Sequence, residues 1–516
     1  MRIHPLFPLS ILATPLLAGS VHLTKIGEYR THVYNAGACE IPSYDVRSKR
    51  LFVINGATNK VDVVDLANPA LPTYLFSVDL SAHGANPTSV ATWRGLVAVS
   101  VGAATKTDPG KVVFFGADGT VYAAVTVGAL PDMLCFTPDG ARVLVAGEGE
   151  PSSDYAVDPL GTVSIIDVQK PPSLIAQAHV TTLDFSAFDN AVLDPSVRVF
   201  GPGASVAQDF EPEYVAVAPD SKTAWITLQE NNAVARLDLV TKSFTAIQGL
   251  GFKDHLLAGN GIDASDKDSA IAIAGWPVKG MYLPDSIAAF RVGAQDYYVT
   301  ANEGDAREWG PFVEEARVKA LALDATAFPS AATLKLDANL GRLNVTKANG
   351  DADGDGDYDA LYAFGARSIT IRKADGSLVW DSGQQLEEIC ANAFPLDFNA
   401  DHAANASFDT RSDNKGPEPE GLALGRVGGR WHAFVGLERI GGIAVFNLQD
   451  PAHPVFVEYV NPRDFAGDPA LDTAGDLGPE GLQFVPAALS PNGKDLLIVG
   501  NEISGSTAIF QIDAQP

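Results

Sequence analysis

Along residues 417–451, short apolar runs alternate with tight polar turns. Leu422, Ala423 and Leu424 precede a Gly428-Gly429 turn. A run from Trp431 to Leu437 ends on Glu438, and a third run, Ile443 to Phe446, closes at Pro451. Apolar runs of this length between glycine and proline turns predict three antiparallel strands. A meander this small cannot bury both faces, so it requires copies of itself. The same rhythm recurs at 41–66, 87–118, 131–168, 211–239, from Pro284 onward, and at 478–512. In the Pro284 unit the outer strands follow an insertion, within 361–380. Seven such units predict an all-β chain folded as a seven-bladed β-propeller, with six or eight blades as the alternatives. Helical periodicity is confined to 314–323. Three insertions, about 171–209, 251–282 and 304–359, are long for plain connections and fall where function or a cap on one face is expected. The expected organisation is a signal peptide, 1–20, and one propeller domain, 21–516.

Composition narrows the partners. A net charge of -27 excludes nucleic acid as a natural ligand. Arg2 and His4, an apolar stretch over 6–17 and the small residues Ala18-Gly19-Ser20 read as a secretory signal. No other segment is long and apolar enough to span a membrane. The expectation is a secreted or periplasmic monomer without a C-terminal anchor. Three cysteines, Cys39, Cys135 and Cys390, are no disulfide framework, although one pair is possible.

Aligning the units changes the picture, because two acidic columns appear. One falls where each innermost strand begins: Glu40, Asp132, Glu213, Asp285, Glu420 and Glu480, with Thr88 in the second unit. The other falls where the next strand ends: Glu148, Glu230, Glu303, Glu438 and Glu502. Antiparallel neighbours place these positions side by side, so both columns should crowd one end of the central channel. Carboxylates that close are costly unless protonated or bridged by cations. Oxygen-only ligands favour a hard cation, Ca²⁺ first, then Mg²⁺ or Mn²⁺. Alternatively each Glu caps its neighbour's amides.

A second candidate is the loop Asp351, Asp353, Asp355, Asp357, Asp359. Alternate aspartates with Gly356 at position six match the first half of a calcium loop, but Tyr362 stands where an EF-hand needs Glu. A third is basic: Arg307, Arg367, Arg411, Lys415 and Arg439 lie near the acidic positions and could hold a phosphate beside metal ions or simply neutralise carboxylates. Nucleophile and phosphate-loop motifs are absent from the sequence.

With these residues in view, the chain resembles the choice-of-anchor I family of bacterial exported proteins. That family is similar to the animal mesenchyme-specific cell-surface glycoproteins associated with biomineralisation. The stretches ACEIPSYD, VAQDFEPEYVAVAPD, DASDKD, WPVKGMYLPDSIA, TANEGDAREW, GDADGDGDYDALYAFGARSITI, RSDNKGPEPEGLALG and LGPEGLQFVPAALSPNGKDLLIVGNEISGSTAIF carry it. The resemblance implies a calcium-linked, exported seven-bladed propeller. The Pro-Glu-Gly turns at Glu420 and Glu480 also look like those of propeller phytases, and relatives labelled alkaline phosphatase imply phosphoester chemistry.

Two functions follow as expectations. One is a non-catalytic, Ca²⁺-dependent binding or surface-associated protein, whose partner is a cation and an extracellular polymer. The other is a metal-dependent phosphoesterase acting on a phosphorylated small molecule. There, metal held by Glu213, Glu303, Glu420, Glu438, Glu480 and Glu502 would polarise the ester, and Arg307 or Arg411 would be the catalytic candidate stabilising charge.

Overall fold

The computed structural model describes residues 21–310 and 312–515; the expected signal peptide lies outside them. Among the described residues there are seven four-stranded antiparallel sheets. Their innermost strands are Pro42–Asp45, Asn86–Trp93, Pro131–Phe136, Pro212–Val217, Ile287–Val292, Pro419–Val427 and Pro479–Val485, numbered here sheets 1 to 7. Each innermost strand touches the next, and that of sheet 7 touches that of sheet 1, so the ring closes as a propeller. Closure is also made by strand pairing between the two ends of the described chain. The first described strand, Val21–Arg30, pairs with the last, Ser506–Ala514, as the outermost strand of sheet 7.

Burial follows position in the sheet. Leu96–Gly102, the second strand of sheet 2, is buried along its whole length, because both of its faces meet a neighbouring sheet. Thr73–Asp79, the outermost strand of sheet 1, is largely exposed. Adjacent sheets interlock through aromatic pairs such as Phe52 with Phe115, whose ring centroids are 6.1 Å apart, and Phe434 with Phe484 at 5.9 Å.

The insertions are more ordered than connections. Phe252–Asp254, Lys279–Met281, Tyr362–Ala363, Asn344–Thr346 and Glu315–Arg317 form an additional five-stranded sheet. It has its own core of Val318, Leu340, Leu343, Val345 and Leu361. The helix expected over 314–323 is therefore replaced by the strand Glu315–Arg317, which pairs with Asn344–Thr346, and a single turn at Val318–Ala320. Within the 171–209 insertion, Val180–Asp184 is the outermost strand of sheet 3. A helix nobody would place from periodicity alone, Gln385–Ala393, packs Leu386 and Cys390 against Phe398. All three cysteines are free thiols. No helix among the described residues is long and apolar enough to cross a membrane.

Candidate metal centre

The acidic column is built by one local device. Proline precedes the acidic residue at Asp132, Glu213, Asp285, Glu420 and Glu480, and precedes Thr88 in sheet 2. Proline is tolerated at a strand's first residue, where its missing N–H breaks no ladder. The ladder then slips. In sheet 6, Pro419 pairs with Leu437 and Leu422 with Val435, so Glu420 and Gly421 face Gly436 alone. Comparable slips follow Pro87, Pro131, Pro212 and Pro479. Such a bulge bends the strand and re-aims its side chain.

The glycine after the acid has a packing reason. A β-carbon on Gly421 would overlap the carbonyl oxygen of Glu480, and one on Gly481 would stand 2.8 Å from that of Glu40. Neighbouring sheets are also stitched by hydroxyls. Ser100 Oγ donates to the Asp132 carbonyl at 2.7 Å, and Thr227 Oγ1 to the Asp285 carbonyl at 3.0 Å.

The outcome is one mouth. Glu40, Asp132, Glu213, Asp285, Glu420 and Glu480 line a cavity of about 300 Å³, together with Thr88 and with Glu303 and Glu438 of the second column. Glu148 brings a carboxylate oxygen within 4.8 Å of Asp132 and Glu213, and Glu502 does the same with Glu438 and His402. Glu230 lines an adjoining cavity of about 430 Å³, which shares Asp305, Lys415 and Arg439 with the mouth. Both columns thus converge on one end of the channel.

The mouth has two electrostatically different flanks. On one, Glu303, Glu418 and Glu438 bring oxygens within 4.8 Å of one another, and cations answer them. Glu418 is fully buried, with φ of +51°. It accepts from Arg411 Nη2 at 2.6 Å and Arg439 Nε at 2.9 Å, and pairs with Lys415 at 3.1 Å. Burial would raise its carboxyl, but Lys415, Arg439 and Arg411 together hold it far below the usual range. Lys415 also pairs with Glu303, and Arg439 with Glu438 at 3.1 Å.

The other flank has no such answer. Among the described residues no ion pair reaches Glu40, Asp132, Glu148, Glu213, Asp285, Glu420 or Glu480; the nearby cations are spent on Glu303, Glu418 and Glu438. Burial, then neighbouring carboxylates, push these groups upward. Glu40 rises to about 8, with Asp132 and Glu502 adding to burial, and Asp132 rises to about 6. Glu148, Glu213, Asp285, Glu420 and Glu480 are all driven well above the ordinary range by burial first and a neighbouring carboxylate second, which is Asp132, Glu148, Glu303, Glu438 and Glu40 respectively. One oxygen of Glu420 and one of Glu480, both Oε2, are buried with no hydrogen-bond partner. A donor set of carboxylates with orphaned oxygens and surplus negative charge fits a hard divalent cation.

Other predicted residues lie elsewhere. Asp351, Asp353 and Asp355 bring oxygens within 4.8 Å of one another on the surface, not at the mouth. Asp351 accepts from the N–H groups of Gly354 and Gly356, and Asp359 from that of Ala352. Asp357 directs no oxygen into that trio. Arg307 is buried and paired with Asp209 at 2.5 Å and Glu211 at 3.2 Å. Arg411 is bound to Glu418, so both arginine candidates serve carboxylates. Glu418 went unassigned in the sequence. Glu418 hid in the Pro-Glu-Pro-Glu turn, two residues before the column it supports.

Residues 40–451 match the choice-of-anchor I domain. Gigasin-3a of Magallana gigas is 31% identical over 193 residues, spanning 35% of this chain and 67% of the relative. The mesenchyme-specific cell surface glycoprotein of Strongylocentrotus purpuratus is 28% identical over 292 residues, or 49% of this chain and 36% of the relative. Among solved structures, a hydrazine synthase of Kuenenia stuttgartiensis superposes over 93% of this chain and 97% of its own, with 13% identity and a TM-score of 0.47. Streptogramin B lyase superposes over 96% and 98%, with 8% identity and a TM-score of 0.46.

Proposed function

This chain belongs to the choice-of-anchor I family, and from that premise we propose that it is an extracellular, surface-associated propeller whose channel mouth binds divalent cations, calcium first. The observation that carries the reading is the unanswered flank: Asp132, Glu148 and Glu213 bring oxygens within 4.8 Å of one another and have no cationic partner. These three would hold the ion, with Glu40, Asp285, Glu420 and Glu480 close enough to hold more. Mg²⁺ is the poorer fit, because it demands strict octahedral geometry and keeps its waters. The surface-associated setting draws on the similarity to a cell surface glycoprotein. The exposed aspartate trio is a second calcium position in this reading.

Equilibrium dialysis with radioactive calcium tests it. The wild type should bind calcium at the mouth, and Glu148→Gln with Glu213→Gln should abolish that binding while leaving the surface loop's. Unchanged binding in the double variant would sink the assignment.

A phosphoesterase remains the second reading, and the presence of Lys415 and Arg439 in the same cavity favours it. Bound cations would supply Lewis-acid polarisation of a phosphoester. In this reading the mouth would present carboxylates for the metal on one flank, and Lys415 and Arg439, paired with Glu303, Glu418 and Glu438, would turn to the phosphate from the other. Hydrolysis of p-nitrophenyl phosphate with Ca²⁺, lost in Glu420→Ala with Glu480→Ala, would support this reading. No turnover across metals and pH would leave the binder.

A further inference from the structure

Behind the mouth, a strap over 396–416 folds across the helix Gln385–Ala393 and the segment 261–272. The junction is sealed. Asp263, Glu387, Asn399, Asp409 and Ser412 are each at most 2% exposed. Three of these are carboxylates, yet among the described residues only Arg367 forms an ion pair with any of them, to Glu387 at 2.6 Å. Two buried negative charges are left without a counter-ion, which is expensive unless a proton or a cation joins them.

Two oxygens of this junction have no partner. Asp409 Oδ1 accepts from Ser412 Oγ at 2.6 Å, but its Oδ2 has no partner. Asn399 Nδ2 donates to the same Ser412 Oγ at 2.8 Å and to Glu387 Oε1 at 3.2 Å, but its Oδ1 has no partner. The shared hydroxyl ties the two orphan-bearing groups together. Their backbones are also held in the left-handed region, with φ of +44° at Asn399 and +68° at Asp409. Asparagine and aspartate are the side chains that reach that region most readily, which suits them to these two turns.

We propose that Asp409 Oδ2 and Asn399 Oδ1 bind a buried calcium ion, with Asp263 supplying further negative charge, at a site separate from the mouth. A water molecule could satisfy the oxygens, but it would leave the charge unbalanced. Oxygen donors, a carboxylate and an amide carbonyl, are the ligands a hard cation takes. In the absence of an ion, burial, with Asp263 adding to it, pushes Asp409 up to about 8, so a proton competes for the same place. The ion's role is positional. Asn399 accepts the Arg411 N–H at 3.0 Å, and Arg367 Nη2 holds the Ser412 and Asn414 carbonyls at 2.8 and 2.9 Å. The strap fixed here carries Lys415 to the mouth and Arg411 to the adjoining cavity. This inference does not rest on calcium binding at the mouth.

The experiment separates buried from accessible sites. The full chain carrying Glu148→Gln, Glu213→Gln, Asp351→Asn and Asp353→Asn is exposed briefly to EGTA, desalted and analysed for calcium. About one ion per chain should survive. Adding Asp409→Asn to the same background should cut retained calcium at least tenfold. No retained calcium in the parent, or retention undiminished in a folded Asp409→Asn protein, overturns the proposal. Should Asp409→Asn fail to fold, anomalous diffraction from wild-type crystals grown in calcium decides. A calcium peak touching both oxygens supports the site. An anomalously silent water there, or a direct Asp409–Asn399 hydrogen bond through a carboxylic proton, overturns it.

Discussion

Lys415 Nζ lies 3.1 Å from Oε2 of Glu418, and the same ammonium pairs with Glu303. A tethered cation thus already occupies one flank of an acidic mouth. That leaves the opposite flank, around Asp132, Glu148 and Glu213, as the place where a free cation gains most. Glu418 is the anchor of this asymmetry, because Arg411 and Arg439 converge on it as well.

Replacing that anchor should be costly. Glu418→Gln keeps the shape but strands three cations over a buried neutral group. Breaking a buried ion pair by removing one partner costs about 3–5 kcal/mol. The denaturation midpoint should fall accordingly, and calcium affinity at the mouth should fall with it as Lys415 loses its second tether. A midpoint within error of wild type would contradict the assigned role.

The glycine following Glu420 and Glu480 is a steric requirement. Gly481→Ala places a β-carbon 2.6 Å from Pro42 Cδ and 2.8 Å from the Glu40 carbonyl oxygen. Overpacking of this kind costs about 1–3 kcal/mol. Chemical denaturation should show that loss. An alanine at Gly429, where nothing lies within 4 Å, relieves no contact and creates none, so its cost reflects only its φ of +83°.

Metal-free protein should lose stability as pH rises. Glu40 moves from 4.5 to about 8, and Asp132 from 3.8 to about 6. Between the unfolded and folded values, the folded state holds protons that the unfolded state has released. The contribution of these two groups is therefore full below about pH 4 and declines as pH rises from there, to about 6 for Asp132 and about 8 for Glu40. Thermal melts with EGTA over that range should trend downward, and saturating calcium should flatten the trend by replacing the protons. A metal-free melting temperature that rises from pH 5 to 8 would count against the buried carboxylates.

The surface loop gives an independent readout. Calcium should protect 350–359 from proteolysis in the wild type. In Asp351→Asn with Asp353→Asn, which removes two of the three converging carboxylates, cleavage should proceed equally with and without calcium. Equal protection of both proteins would remove this loop from the account.

Much of this was legible in the chain, and the reasons are local. Proline followed by an acid at the start of an apolar run recurs from unit to unit, so Asp132, Glu213, Asp285, Glu420 and Glu480 could be aligned by eye. Glycine after Glu420 and Glu480 marks close approach of neighbouring strands. What escaped depends on distant segments. The five-stranded sheet joins pieces from 252 to 363, each two or three residues long, too short for any periodicity. Glu418 looks like a turn residue until Lys415, Arg411 and Arg439 close on it. Asn399 and Asp409 belong to no motif, and only burial distinguishes them. The candidate arginines were legible as charges, but their partners Asp209, Glu211 and Glu418 were not.

The central claim is that carboxylates at the mouth exchange protons for a divalent cation. Calorimetric titration of the wild-type protein with calcium near neutral pH, repeated in buffers of different ionisation heat, tests it most directly. The account predicts binding whose apparent enthalpy shifts with the buffer, because protons leave as calcium enters, and loss of that proton-linked component in Glu148→Gln with Glu213→Gln. Absence of binding, or binding whose heat is the same in every buffer, would contradict it.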